Sequence, residues 1–231
     1  MGNVMFMRKG EVHTKPIGVP ELPSSYNLIE TITQSTTFVA PTTGYYKVED
    51  IGASGNGGVG KYSKTGNTSN DTVNAASGGG GGGSGFASSI VQLNEGDLIL
   101  IVIGDVGSDT TVTFNPTTNN TYEVMRVTSG ANGGVPATAN QIAVGGEGGI
   151  ASGGNLTNAN GNKGGDGAKK LTYYGTVIDV VGGAGGTAAT HDGNVGGAGA
   201  TVSTFNSNTV NTNGTGKAGF VRIYAGDTNV A

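Results

Sequence analysis

The chain has 231 residues, a net charge of −4 and 12% charged residues, so it lacks the clustered basic residues of a nucleic-acid-binding face. It contains no cysteine, which excludes a disulfide framework and thiolate metal sites. The longest apolar run, 98–103, is too short to span a bilayer, and the first nine residues do not follow the order of a signal peptide. We therefore expect a soluble protein that is made in the cytoplasm and is not secreted by a signal peptide.

Residues 1–28 are predicted to form an extended N-terminal arm. Pro16, Pro20 and Pro23 lie close together in it, and proline at this density excludes helix and favours extended backbone. Such an arm is either disordered or docked along another chain. The rest of the chain, 29–231, is predicted to be one glycine-rich β domain.

Alternating and β-branched residues predict the strands of that domain, and no segment has the 3.6-residue period of a helix. The run at 98–103 is apolar throughout and is expected to be buried on both faces. The predicted fold class is all-β, with strands arranged as in a β-sandwich. The predicted strands are 29–39, 45–51, 86–93, 98–103, 110–114, 122–127, 171–181 and 218–224.

Glycine makes up 46 of the 231 residues and is concentrated in clusters. In a polyproline II-type helix the side chains leave the backbone in three directions, one for each residue of a turn. In sequences such as Gly-Gly-Ala-Gly-Gly at 182–186, one of the three directions can carry a side chain. In the unbroken run at 78–83 none can, which suits a helix that is packed on all sides. These clusters predict close-packed segments of the polyglycine II type.

Glycine clusters also occur in collagen, in disordered tracts and in the connections of β-sandwiches. Collagen requires glycine at every third position and abundant proline, and the whole chain has six prolines. A disordered tract is disfavoured by the apolar strands between the clusters. A β-sandwich in which the glycines serve only as connections remains open. The polar insertions 61–75, 155–163, 187–195 and 201–215 lie between constrained glycine segments and are therefore expected to protrude as loops from one end of the domain.

Motifs that would indicate chemistry are incomplete. The stretch 55–61 resembles a phosphate-binding loop, but Tyr62 stands where a serine or threonine would hold magnesium. The two histidines, His13 and His191, have no partners at metal-site or triad spacing. The acidic residues show no pattern that would nominate the carboxylate pair of a polymer-degrading enzyme. We therefore predict no enzyme activity, no metal site and no cofactor.

The ordered parts of the chain together resemble the glycine-rich domain of bacteriophage tail-fibre and tail-tip proteins. The opening pair, 37–41 and 44–48, resembles that family's F-x-V-P and G-x-Y-x-V pattern, and 219–224 resembles its terminal strand. The polyglycine run into Phe86, followed by 93–97 and 102–104, matches the central part. Residues 5–14 resemble the start of tail proteins from phages of Gram-positive bacteria.

The resemblance implies a non-enzymatic tail or baseplate protein that attaches the virion to the host surface through polar loops. The partner would be a surface glycan or protein, with Tyr62, Tyr173 or Tyr174 as stacking surfaces. The candidate receptor-contact residues are Tyr62, Asn67, Asn70, His191, Asn194, Asn206 and Asn208. The arm would anchor the protein to other tail proteins through Phe6, Arg8, Lys9, His13 and Pro16.

The alternative function is a purely structural baseplate or decoration subunit, and a homo-oligomer is compatible with either function. Nucleic acid is not expected as a partner. Because charged residues are scarce, receptor binding is expected to weaken only slightly with salt.

Overall fold

The computed structural model describes residues 3–8, 11–16, 22–66, 68–115, 123–173, 175–176, 178–204, 209–210 and 212–227. These residues form 18 β-strands and no helix, so the predicted all-β class is confirmed. In the same ranges no helix is long and apolar enough to cross a membrane. The strands are β1 (Asn3–Arg8), β2 (Glu11–Pro16), β3 (Tyr26–Ile32), β4 (Thr36–Val39), β5 (Gly44–Ile51), β6 (Lys61–Lys64), β7 (Thr72–Ala76), β8 (Phe86–Leu93), β9 (Leu98–Val102), β10 (Thr110–Asn115), β11 (Glu123–Val127), β12 (Ala151–Ser152), β13 (Thr157–Ala159), β14 (Lys169–Tyr173), β15 (Ile178–Val180), β16 (Val202–Thr204), β17 (Thr209–Val210) and β18 (Phe220–Gly226).

Two five-stranded antiparallel sheets form a sandwich. Their strand orders are β12-β11-β10-β9-β4 and β13-β8-β5-β18-β3. Buried side chains from both sheets, such as Val48, Ile99 and Ile223, form one apolar core. Inside it the rings of Phe38 and Tyr46 meet edge to face at 6.0 Å, and the Tyr46 hydroxyl donates to a backbone carbonyl. The sandwich is therefore the apolar centre of the chain.

Three of the predicted strands differ from the structure, and the strands β1, β2, β6, β7, β12, β13, β16 and β17 were not predicted. β9 is not buried on both faces: Ile99 and Ile101 point into the core, whereas Leu100 is 49% exposed. The reason is that β9 lies in an antiparallel sheet with only one face on the core. The predicted strand 29–39 is two strands in different sheets, β3 and β4, and the predicted strand 171–181 is divided into β14 and β15.

The N-terminal arm contains the antiparallel pair β1–β2, in which Phe6 is opposite His13 and Pro16 is opposite Asn3. Arg8 lies at the end of β1, whereas Lys9 is outside the described residues. β3 begins at Tyr26 and pairs with β18, so the last residues of the predicted arm belong to the sandwich. The anchoring role of the arm stays a prediction.

Beside the sandwich, eight glycine-rich segments pack side by side. We call them segments I–VIII and their assembly the glycine lattice. They are I (53–60), II (77–85), III (129–134), IV (143–150), V (160–167), VI (181–187), VII (194–200) and VIII (212–218).

Segment II lies at the centre of the lattice and hydrogen bonds in all directions. Its successive N–H groups donate in turn to segments VII, III and V, and this order repeats every three residues from Gly78 to Ser84, with N···O distances of 2.8–3.1 Å. Its carbonyl groups accept from segments VI, I and IV in the same rotation. A repeat of three residues is the signature of polyproline II-type geometry. The prediction of polyglycine II-like segments is confirmed.

The six neighbours of segment II form a closed ring. Each also hydrogen bonds to the next, in the order I–III–IV–V–VI–VII and back to I. Segment VIII lies outside this ring against I and VII, through the bonds of Gly57 N to Gly214 O and Gly214 N to Ala198 O. The lattice is therefore a hexagonal bundle with one added member.

From Gly78 to Gly83, segment II has space only for glycine. A Cβ on Gly80, Gly81 or Gly82 would lie less than 3.0 Å from a backbone carbonyl of a ring segment. Every third residue of a ring segment points outward, and there side chains are present and exposed, as at Val144, Glu147 and Ile150. The expectation that 78–83 is packed on all sides, with one open direction in each outer cluster, is thus fulfilled.

Consecutive segments run in opposite directions. Along II the donor number rises from 78 to 84 while the acceptor number in VII falls from 200 to 194, so these two segments are antiparallel. Segments IV and VI are parallel to II, since their residue numbers rise together with those of II. Connections after odd-numbered segments therefore lie at one end, the outer end, and the others lie at the sandwich end, where β8–β11 leave and re-enter the lattice.

One buried acid in the sandwich has no partner. Asp50 on β5 is 0% exposed, and neither carboxylate oxygen has a hydrogen-bond partner among the described residues. Its strand neighbours are Ala87 and Val221, both completely buried. Burial raises the pKa of Asp50 well above its ordinary value. The folded protein therefore keeps a proton that the unfolded chain loses at lower pH.

We expect Asp50→Asn to stabilise the protein at neutral and alkaline pH. As pH rises above the ordinary carboxyl pKa of 3.8, Asp50 loses its proton in the unfolded chain but keeps it in the folded protein. Between this pH and the raised pKa of the folded state, each rise in pH therefore lowers the stability of the wild-type protein. The variant should melt at least about 2 °C higher than wild type at pH 8, and this gain should vanish in acid. Thermal melts from pH 3 to pH 8 measure this; a gain independent of pH would contradict it.

Gly81→Val is expected to destabilise the lattice by about 3 kcal/mol or more, because the new side chain would meet the backbone of segment I. The matched control is Ala184→Val, at an exposed outward position of segment VI, which should change stability by less than about 0.5 kcal/mol. Denaturant unfolding measures both. Equal, small effects would mean that segment II is not enclosed.

Candidate binding surface at the outer end of the glycine lattice

Four connections meet at the outer end of the lattice. They are 61–76, 135–142, 168–180 and 201–211, and of the last only 201–204 and 209–210 are described. Each begins where an odd-numbered segment ends and returns the chain to the next segment. The lattice thus brings stretches that are far apart in sequence to one surface.

The centre of this surface is a three-stranded sheet in the order β14-β7-β6. Directly opposite residues share a face of an antiparallel sheet, so the register assigns each side chain to a face. We call the two faces the Tyr173 face and the Tyr62 face. The Tyr173 face carries Lys61, Ser63, Thr72, Asn74, Lys169, Leu171 and Tyr173. The Tyr62 face carries Tyr62, Lys64, Val73, Ala75, Lys170 and Thr172.

Two lysines on the Tyr173 face hold the connection 135–142 against the sheet. The ammonium group of Lys61 donates to the carbonyl of Ala137 at 3.1 Å, and that of Lys169 donates to the carbonyl of Asn140 at 3.1 Å. These lysines are opposite the same residue of β7, Ala76. A neutral carbonyl positions each ammonium group without cancelling its charge.

Beyond these lysines, the Tyr173 face is open to solvent. Leu171 is 61% exposed and Tyr173 is 64% exposed, while Ser63 and Asn74 stand in the same row of the sheet as Leu171. A ring and an aliphatic side chain beside hydroxyl and amide groups can stack on a sugar or peptide and hydrogen bond to it. The arrangement is suited to binding a ligand.

A second small sheet packs against the Tyr62 face. It has the order β15-β16-β17, and its Val180 and Val202 bury Ala75 of β7. The hydroxyl of Ser203 donates to the carboxylate of Asp179 at 2.6 Å across β15 and β16. This apolar contact joins the two sheets of the outer end and gives the exposed Tyr173 face a fixed support.

The predicted receptor-contact residues are divided between several places. Tyr62 is 40% exposed but lies on the face opposite Tyr173, so the two rings do not form one stacking surface. Asn70 is exposed in the turn between β6 and β7, where the N–H and hydroxyl of Thr68 donate to Asp71. The other predicted residues of this end, Asn67, Tyr174, Asn206 and Asn208, are outside the described residues.

His191 is at the sandwich end, so the prediction that 187–195 joins the other loops at one end is wrong. The reason is that this connection follows the even-numbered segment VI. His191 contacts Asp192, and Asp192 binds Arg222 of β18 at 3.2 Å. The hydrogen bond from His191, followed by that from Arg222, lowers the pKa of Asp192. A cavity of about 250 Å³ lies beside them and is also lined by Glu49.

The predicted loop 155–163 is likewise not at the outer end. It contains β13, which pairs with β8 of the sandwich, and the first turn of segment V. The connection 135–142 was not predicted as part of the surface, because glycine clusters flank it and it has no strand pattern.

Asn194 is a structural residue and not a surface contact. It is 7% exposed, and its side-chain amide donates to the carbonyls of Gly52 at 3.0 Å and Ala218 at 2.7 Å. Its backbone N–H donates to the Ser84 hydroxyl at 2.9 Å. The amide thus joins segment VII to the strands that enter and leave the lattice. We leave it out of the candidate surface.

Among the described residues, no group of three or more histidine, cysteine, aspartate or glutamate side chains could hold a metal ion. The family models, the curated proteins and the solved structures with which the chain was compared gave no match.

Asn194→Ala is expected to cost about 2–3 kcal/mol of stability, because the buried carbonyl of Gly52 and the partly buried carbonyl of Ala218 lose their donors. Asn70→Ala, in an exposed turn, is the control and should stay within about 0.5 kcal/mol of wild type. Denaturant titrations compare the two. If Asn194→Ala unfolded like wild type, the structural role of this amide would be refuted.

Proposed function

We propose that this chain is a non-enzymatic tail or baseplate protein of a bacteriophage, which attaches the virion to the host surface through the outer end of the glycine lattice. The observation that carries the proposal is the gathering of four connections at one end of a hydrogen-bonded bundle, with the sandwich at the other end. Recognition commonly resides in loops that a rigid scaffold positions.

The lattice separates the requirements of folding from those of binding. Its contacts are made by backbone groups, so the connections can differ in length and sequence without changing the inner positions. The ends of neighbouring segments lie side by side: a Cβ on Gly60 would be 3.4 Å from the Cα of Ser77. Likewise the Ser77 hydroxyl contacts both Ala168 and Val181. The two ends of the connection 61–76 are therefore close together, and so are the two ends of 169–180.

The chemistry of the outer end supports contact with a surface polymer or protein. The Tyr173 face offers an aromatic ring, an amide and hydroxyl groups on a supported sheet. In this proposal the N-terminal arm binds other tail proteins, with Phe6, Arg8, Lys9, His13 and Pro16 as anchoring residues. The resemblance to glycine-rich tail-fibre domains supports the same assignment.

The second candidate is a subunit that contacts only other virion proteins. It is favoured by an exposed apolar face on the sandwich, where Leu98, Leu100 and Val102 of β9 lie beside Val39 of β4. A face of this kind is typical of surfaces that meet another protein. The two candidates make opposite demands on the outer end, so one experiment separates them.

Replacing residues 62–75 with a short Gly-Ser turn is expected to abolish binding to host cells, while the protein still folds and is incorporated into particles. The replaced hairpin carries β6, β7 and the buried Ala75, so some stability is lost at the outer end, but no inner position of the lattice is changed. Labelled purified protein on cells of the infected host, together with particle composition, provides the measurement.

The control is His191→Ala, at the sandwich end, which should leave cell binding unchanged. Wild-type binding by the hairpin-replaced protein would contradict the proposal. A wild-type protein that never binds cells, together with a hairpin replacement that prevents assembly, would establish the structural alternative.

A further inference from the structure

The sheet at the outer end concentrates positive charge. Strands β6, β7 and β14 hold four of the 12 lysines and arginines of the chain, namely Lys61, Lys64, Lys169 and Lys170, and no acidic residue. All four are exposed. Because the chain as a whole has a net charge of −4, this sheet is a positive pole on an acidic protein.

The register places these charges close enough to act together. Lys61 and Lys169 flank Ala76 on the Tyr173 face, while Lys64 and Lys170 lie on the Tyr62 face. Strands in a sheet are about 4.8 Å apart, so lysines across the central strand start about 10 Å apart. This is comparable with the screening length of about 8 Å at physiological salt, and their fields therefore overlap.

Acidic side chains at the outer end accept hydrogen bonds from other groups. Asp166 accepts the backbone N–H of Gly145 at 2.8 Å, and Asp179 accepts the Ser203 hydroxyl on the other sheet. Asp71 accepts from Thr68 in the hairpin turn. The ammonium groups of Lys61 and Lys169 donate to carbonyl groups of 135–142, which carry no net charge.

We propose that the ligand of the outer end is an anionic polymer of the cell surface, with phosphate or carboxylate groups drawn to Lys61 and Lys169 on the Tyr173 face. Leu171, Tyr173 and Asn74 of the same sheet contact its uncharged backbone. This inference rests on the proposed function and specifies its ligand class. It also revises the sequence-based expectation that binding depends only weakly on salt. Although charged residues are scarce in the chain, four lysines lie together on the sheet of the outer end.

Binding of the full chain to three immobilised polymers tests the inference: polyphosphate, polygalacturonate as the carboxylate source, and neutral dextran. We expect binding to at least one polyanion and none to dextran, and the preferred polyanion identifies the anionic group. Raising NaCl from about 0.15 M to about 1 M shortens the screening length to about 3 Å and should largely abolish binding. Equal binding to dextran, or binding that ignores salt, would overturn the inference.

Lys169→Gln should weaken polyanion binding by up to about fivefold, because it removes a charge from the Tyr173 face while its amide can still donate to the Asn140 carbonyl. Lys217→Gln, at an exposed position of segment VIII near the sandwich end, removes the same charge and should have no effect. Equal losses from Lys169→Gln and Lys217→Gln would show non-specific attraction and refute the site. Circular dichroism verifies that each variant is folded.

The outcomes also separate this inference from the proposed function. Host-cell binding that needs the hairpin but is indifferent to salt and to Lys169→Gln would leave the attachment role standing and refute an anionic ligand. A wild-type protein that binds polyanions but no host cell would refute the attachment role.

Discussion

The hydrogen-bonding geometry of segment II is the constraint on which the other parts of the lattice depend. Its backbone N–H groups donate to three neighbouring segments and its carbonyl groups accept from three others. Six segments of the same chain therefore surround it within hydrogen-bonding distance. At that separation there is no space for a Cβ, and a Cβ on Gly82 would overlap the backbone of segment IV. A single buried segment of glycine therefore determines the number of neighbours, their spacing and the positions at which they also need glycine.

The division of labour in the molecule follows from this constraint. Inside the lattice, backbone bonds replace side-chain packing, and the apolar core of the chain is confined to the sandwich and a small cluster at Ala75, Val180 and Val202. A net contribution of about 1 kcal/mol for each buried hydrogen bond is modest. Such bonds contribute substantially only because they repeat along eight segments. Because backbone groups hold the bundle together, side chains are not needed inside it and occur at its ends and on its outer surface.

The alternation of segment direction decides which side chains can cooperate. Tyr173 and Lys61 are more than a hundred residues apart, yet they share one face of a sheet because both connections follow odd-numbered segments. His191 belongs to an even-numbered turn and instead contacts Asp192 and β18 at the sandwich. Lys61 and Lys64 of β6 and Lys169 and Lys170 of β14 come together at the outer end for the same reason.

The sequence by itself determined the all-β class, most of the sandwich strands and the packing of the glycine clusters, because period-two alternation and a missing Cβ are local properties of the chain. It also indicated the outward direction of each cluster, since Ala184 and Glu147 interrupt the glycines at the third position. Only the tertiary structure decided which connections share an end, that β9 has an exposed face, and that Asn194 is buried under three hydrogen bonds. These features depend on the direction and neighbours of each segment, which backbone hydrogen bonds between distant residues determine. Because almost all residues carry the same backbone groups, such bonds leave no pattern in the sequence from which the neighbours could be predicted.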